Sequence, residues 1–186
     1  MTKKSDWLEL HDSYAGDEVL PAGPLLYNWV RRDAESNYAQ KLVVGSLRVI
    51  STPVCTPDGE RQVPFGQVTY NTLKAGVTRP LDFKLNCVTD YGEYKVTATI
   101  TAETRTADGL IKVTDKAGNA DRMKIRIKDS NNNFLPATGI KGETKQGISG
   151  IPAEFNWSAT LLPGSSAELP EDGDFRATAE IMLIVS

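Results

Sequence analysis

Cys55 and Cys87 are the two residues of this chain with redox chemistry of their own, and they stand 32 positions apart. The single histidine, His11, leaves no imidazole set for a closed zinc site or a catalytic triad, and no C-x-x-C is present for thiol exchange. A disulfide between neighbouring strands is the natural reading, with two inert thiols as the alternative. A bridge of this span contributes about 3 to 4 kcal/mol by loop entropy and implies an oxidising compartment. Among the carboxylates, Asp108 and Asp115 could be drawn as a glycosidase dyad, but sequence supplies neither their separation nor a cleft. Glu168, Glu171, Asp172 and Asp174 lack the ligand spacing of a calcium loop and fit a charged hairpin better. Arg122, Lys124, Arg126 and Lys128 share one parity of a strand. With 21 Lys+Arg against 24 Asp+Glu the net charge is -3, so this stripe is read as a solvated face, and no nucleic-acid partner is expected. Asn156, Trp157 and Ser158 match a glycosylation acceptor, yet Trp157 falls on an apolar parity and reads as core. The expectation is a binding or structural module rather than an enzyme, with no cofactor and no metal.

The elements that position these residues are strands. A chain of 186 residues is one domain on the usual length prior, and it holds no apolar run long enough for a membrane-spanning helix. From about Leu42 onward the apolar residues recur with period two, the mark of half-buried strands. Leu81, Phe83, Leu85 and Cys87 form one such face; Tyr94, Val96, Ala98, Ile100 and Ala102 form another. Met123, Ile125 and Ile127 make a third, and Ala153, Phe155, Trp157, Ala159 and Leu161 a fourth. Turn residues fall between them, as at Asp58 and Gly59, Asp108 and Gly109, Gly118 and Asn119, and Asn131 to Asn133. Seven or so short strands with these turns predict an all-β, immunoglobulin-like sandwich, and helical spacing is hard to find. Before residue 40, Gly16, Pro21, Gly23 and Pro24 break any period, and no apolar stretch of signal-peptide length occurs. That part reads as an extension with room for a short helix, its Trp7 and Trp29 docking on the sandwich or on a partner.

The longest alternation closes the chain: Phe175, Ala177, Ala179, Ile181, Leu183 and Val185, entered just after Gly173, the fourteenth residue from the C-terminus. Together with Cys55, the run Val63 to Gly66, Phe83 to Cys87, and the Met123 to Ile127 strand leading into Asp129 to Leu135, it resembles a pilus subunit of the bacterial chaperone/usher fimbriae of type 1 and P pilus kind. The resemblance covers about residues 40 to 186.

What it implies is an incomplete immunoglobulin-like sandwich that lacks its seventh strand, with a disulfide between the first two strands. A periplasmic chaperone lends a strand to the groove, and the N-terminal segment of the next subunit replaces it in the fibre. The expected partners are that chaperone, an outer-membrane usher and neighbouring pilus subunits, with passage through the periplasm to an extracellular, adhesive fimbrium. Residues 1–45 are then the extension and candidate donor, and residues 46–186 the pilin domain. The donor would comprise Leu42, Val43, Val44, Gly45 and Leu47, with a register change near Gly45 accounting for its broken parity. The groove and chaperone-docking strand would run from Gly173 through Phe175, Ala177, Ala179, Ile181 and Leu183 to Val185. The family usually ends with an aromatic in the penultimate position, where this chain has Val185. The length before residue 39 suggests a minor subunit, or a start placed downstream of a signal. A self-contained secreted β-sandwich, an adhesin or carbohydrate-binding domain, is the competing reading.

Overall fold

The computed structural model describes residues 18–29, 38–49, 52–90 and 92–186. Its main sheet is antiparallel and holds β5 (Val54–Pro57), β6 (Val77–Val88), β8 (Ile111–Val113), β9 (Met123–Lys128), β10 (Phe134–Leu135) and β12 (Ala153–Pro163). The order is β10-β9-β12-β6-β5, and β8 pairs with β9 alongside β10. The second sheet is β11 (Thr138–Ile148), β7 (Glu93–Thr101) and β13 (Glu180–Val185), in the order β11-β7-β13. Nested ahead of them are β1 (Glu18–Leu20) against β4 (Leu47–Val49) and β2 (Gly23–Trp29) against β3 (Tyr38–Val44). The short helix anticipated in the extension is not found there among the described residues, which are strands; Trp7 and His11 lie outside them.

The alternating faces become the core. Leu85, Val96, Ala98, Phe155, Trp157 and Leu161 are almost fully enclosed, while the residues beside them are exposed or half-buried, the buried Thr99 excepted. Register puts Phe155 opposite Phe83 and Trp157 opposite Leu81. The Phe83 and Phe155 rings stack with centroids 4.8 Å apart, and Trp157 meets Phe83 edge-on at 4.8 Å. The indole N–H donates to the buried Glu143 carboxylate of β11 at 2.6 Å, a polar contact that helps tie the second sheet to the first. Glu143 also accepts from the Ser130 hydroxyl and backbone N–H, which satisfies a carboxylate that burial would otherwise penalise.

Two features depart from the sequence reading. Among the described residues one α-helix, α1 (Tyr70–Ala75), follows Thr69, whose side chain and that of Thr72 cap each other's backbone N–H; Leu73 is its buried residue. The final strand begins at Glu180 and not after Gly173. Its partner β7 ends at Thr101, opposite Glu180, so residues 175–179 have no strand to pair with. Ala177 and Ala179 are accordingly exposed, and the six-residue apolar face is not continuous.

Candidate functional site

The two sheets do not close on one another. On one side β5 covers only the last part of β6, pairing Val54 to Pro57 with Val88 to Leu85. The chain then leaves the sheet as an irregular segment from Asp58 to Thr69. On the other side β13 is an edge strand, bonded to β7 alone. Between these edges lies a groove of about 1520 Å³. Its floor is the core itself, with Leu81, Phe83, Ile100, Val113, Ile127 and Ala159 among the residues that reach it. One wall carries Val63, Phe65 and Val68, the other Phe175, Ile181 and Leu183. An apolar groove beside an unpaired strand edge offers both burial and a row of backbone donors and acceptors.

The first cysteine expectation is met: Cys55 and Cys87 form a disulfide, directly opposite in the β5–β6 register with Cα atoms 4.1 Å apart. Of the two readings left open, the thiols are therefore bridged. The bond fixes β5 on β6 just before the chain turns off to become a groove wall, so its position matters to the site as well as to stability.

The second wall is held by charges that in sequence looked like separate candidates. Asp115 is buried and its carboxylate accepts from the backbone N–H of Glu171 at 3.0 Å, of Ala117 at 3.0 Å and of Asn119 at 2.8 Å, and from the Asn119 amide. The Glu171 N–H bond first, opposed by burial and helped by the Asn119 and Ala117 bonds, lowers its pKa to about 2. A carboxylate so fully engaged is a structural anion. Arg122 is not on a solvated stripe: it donates to Glu168 at 2.6 Å and to the Leu169 carbonyl at 2.8 Å, 4.0 Å from Asp115. Further along, Arg176 and Thr114 exchange both backbone hydrogen bonds, at 2.9 and 3.0 Å. The segment 168–176 is thus stapled to the 114–122 turn at three levels. No group of acidic, His or Cys side chains suited to a metal occurs among the described residues.

Each predicted site residue can now be placed. Gly173 sits at the lip with φ 135°, and a Cβ there would meet the Lys116 side chain at 2.5 Å, so glycine permits the approach. Phe175, Ile181 and Leu183 are half-buried and line the groove; Ala177 and Ala179 line it from exposed positions. Val185 packs on the core beyond the groove lining. The donor residues are elsewhere: Leu42, Val43 and Val44 are in β3, paired with β2; Leu47 is in β4; and Gly45 and Ser46 break the strand between them. Leu42 and Val43 are exposed. Sequence reasoning missed Asp115 and Arg122 as the fastening of a wall, because nothing in the spacing links them to residues some fifty positions on.

An antiparallel sandwich left open along one side, with a disulfide joining its first strand to its second, defines an incomplete immunoglobulin-like domain, the pilin fold. The fimbrial protein family matches residues 45–186, and the chain belongs to it: it is a fimbrial pilin. Among solved structures it is similar to the P pilus rod subunit PapA, with TM-score 0.54 and 16% identity over 71% of this chain and 99% of that one. A chaperone-usher pilus whose structure addresses rod uncoiling gives TM-score 0.53 and 15% identity, over 71% of this chain and 87% of that one. The CupB6 tip adhesin from Pseudomonas aeruginosa gives TM-score 0.53 and 13% identity, over 86% of this chain and 48% of the adhesin. At these identities the likeness is one of fold. No curated protein sequence matches significantly.

Proposed function

We propose that this pilin is completed in trans: a strand from another protein fills the groove, first from a periplasmic chaperone and then from a neighbouring subunit, in a chaperone-usher fimbria. The observation that carries the reading is the open groove itself, where β13 presents an unpaired edge beside exposed core. Left uncovered, such an edge pairs with whatever strand it meets, and an occupant of alternating apolar side chains satisfies both its hydrogen bonds and its burial. The segment Ala39 to Val49 of a second copy has the composition of such an occupant, with Leu42, Val43, Val44 and Leu47 as its apolar residues. Residues 1–45 then act as extension and donor, and 46–186 as acceptor. The reading includes a minor place in the fibre rather than that of a repeating shaft subunit. Passage through the periplasm to an extracellular fibre, and a share in adhesion, follow from the same reading. No bond is made or broken in it, so no active site is required.

The test compares two substitutions on β13. Leu183→Lys puts an ammonium into the groove wall, which desolvation makes costly by several kcal/mol. Glu180→Lys changes an exposed position and costs less than about 0.5 kcal/mol. Co-expressed with the periplasmic pilus chaperone, the first should lose co-purification and the second keep it. Equal capture of both would show that β13 is not the docking edge and would favour a self-contained adhesin or carbohydrate-binding domain.

A further inference from the structure

The outer face of the main sheet, turned away from the groove, carries its charges unevenly. Lys124, Arg126 and Lys128 occupy alternate residues of β9, between the buried Met123 and Ile127, so successive cations are about 7 Å apart. Register sets Lys112 of β8 directly across from Lys124. All four are half-buried, with their alkyl stems on the sheet and their charged heads held at its surface. Like charges directly opposite one another weaken a strand pair, and nothing on the face relieves them. Among the described residues no ion pair reaches any of the four. Lys128 Nζ donates to a neutral group, Asn132 Oδ1, at 3.0 Å. Asp108, exposed in the turn before β8, has its pKa lowered by a Thr106 hydrogen bond first and by Lys124 least. The carboxylates Asp82 and Glu154 share this face but lie toward the start of β12, where Glu154 stands opposite Lys84.

The row of cations has chemically distinct flanks. On β12, Ser158 lies opposite Lys128 and Thr160 opposite Arg126, and the Thr160 hydroxyl is hydrogen-bonded to that of Thr78 at 2.9 Å. On the other side Phe134 of β10 lies opposite Lys128 and is 41% exposed. A bare ring takes the C–H face of a sugar, the hydroxyls match sugar hydroxyls, and the cations match acidic substituents. Because β9 is paired on both sides, by β12 and by β8 with β10, it offers no backbone edge to a peptide strand. One ring on a chain of net charge -3 makes no stacking track for successive bases. Four cations within a row about 14 Å long call for closely spaced anions, which sulfation of a sugar chain supplies. We propose that this face binds a densely sulfated polysaccharide, laid along β9 with its sulfates on Lys112, Lys124, Arg126 and Lys128 and a sugar ring on Phe134. The site lies on the far side of the main sheet from the groove, so it does not depend on what fills the groove.

The probe is heparin, passed over the full chain immobilised at low density at about 150 mM salt. Binding should saturate and weaken as salt rises. Lys124→Gln combined with Arg126→Gln should lower the affinity on the order of tenfold. Phe134→Ser should lower it on the order of threefold, the smaller loss expected of one sugar–ring contact. Lys84→Gln, on the same face but opposite Glu154, should leave it unchanged. Lys124→Gln alone should hold or raise the urea midpoint, because it removes the like-charge pair with Lys112, so lost binding is not lost fold. A Lys84→Gln effect as large as that of the double variant, or an oligothymidylate bound as tightly as heparin, would reduce the face to an unselective cationic surface and overturn the proposal. Absence of heparin binding would also overturn it. Salt-sensitive capture of a second copy, lost in the same double variant, would then assign the face to the exposed acidic segment 171–174 of that copy.

Discussion

Asp115 shows how a single carboxylate can hold a groove wall in place. Its pKa of about 2 lies below the ordinary Asp value near 3.9, so the folded chain binds this proton less readily than the unfolded one. The stabilisation is complete above about pH 4 and is lost as pH falls through about 2. Urea midpoints measured from pH 7 down to pH 2 should therefore drop steeply in the acid limb for the natural chain. Asp115→Asn should lower the midpoint at pH 7 and flatten that limb; an unchanged limb would assign acid sensitivity to other carboxylates. A second residue-scale effect is steric. Tyr94 donates to the Leu85 and Ile151 carbonyls and accepts from the Ala153 N–H, and its ring lies over Gly147 so closely that a Cβ there would fall 2.1 Å from the ring. Gly147→Ala should cost about 1 to 3 kcal/mol, measured by chemical denaturation, because neither the anchored hydroxyl nor the strand can yield. A cost under about 0.5 kcal/mol would mean that the ring moves freely.

At the scale of elements, strands with one wet and one buried face were readable because alternation is what burial on one side demands. The Met123–Lys128 strand matches its sequence pattern, and the β6, β7 and β12 patterns differ only at their ends. β11 was not readable. Its Gly142 and Gly147 sit where the Ala98 backbone and the Tyr94 ring approach, so contact, not side-chain period, chose those residues. The last strand was overextended for the opposite reason: Phe175, Ala177 and Ala179 keep the period, but β7 has ended and Arg176 is bonded to Thr114 instead. The β5–β6 disulfide is an element-scale staple, holding a four-residue strand on its neighbour. Cys87→Ser should lower unfolding free energy by about 3 to 4 kcal/mol and reduce periplasmic yield. Equal stability of the variant and the oxidised natural chain, by guanidinium titration, would contradict the assignment.

For the whole molecule, periodicity tells which faces are apolar but not what covers them, so the open side of the sandwich was legible only through the order of several short motifs. The structure adds the pairing: β13 has one neighbour, β5 is short, and the core floor reaches the groove. Completion in trans requires that this domain be one strand short. It is tested most directly by unfolding the full chain beside a version carrying its own Ala39 to Val49 sequence after a flexible linker at the C-terminus, which supplies the strand within one molecule. The natural chain alone should associate or unfold at low denaturant, while the extended version should be monomeric with a clearly higher midpoint. A natural chain that is already a stable monomer, with a midpoint unmoved by the added strand, would contradict it.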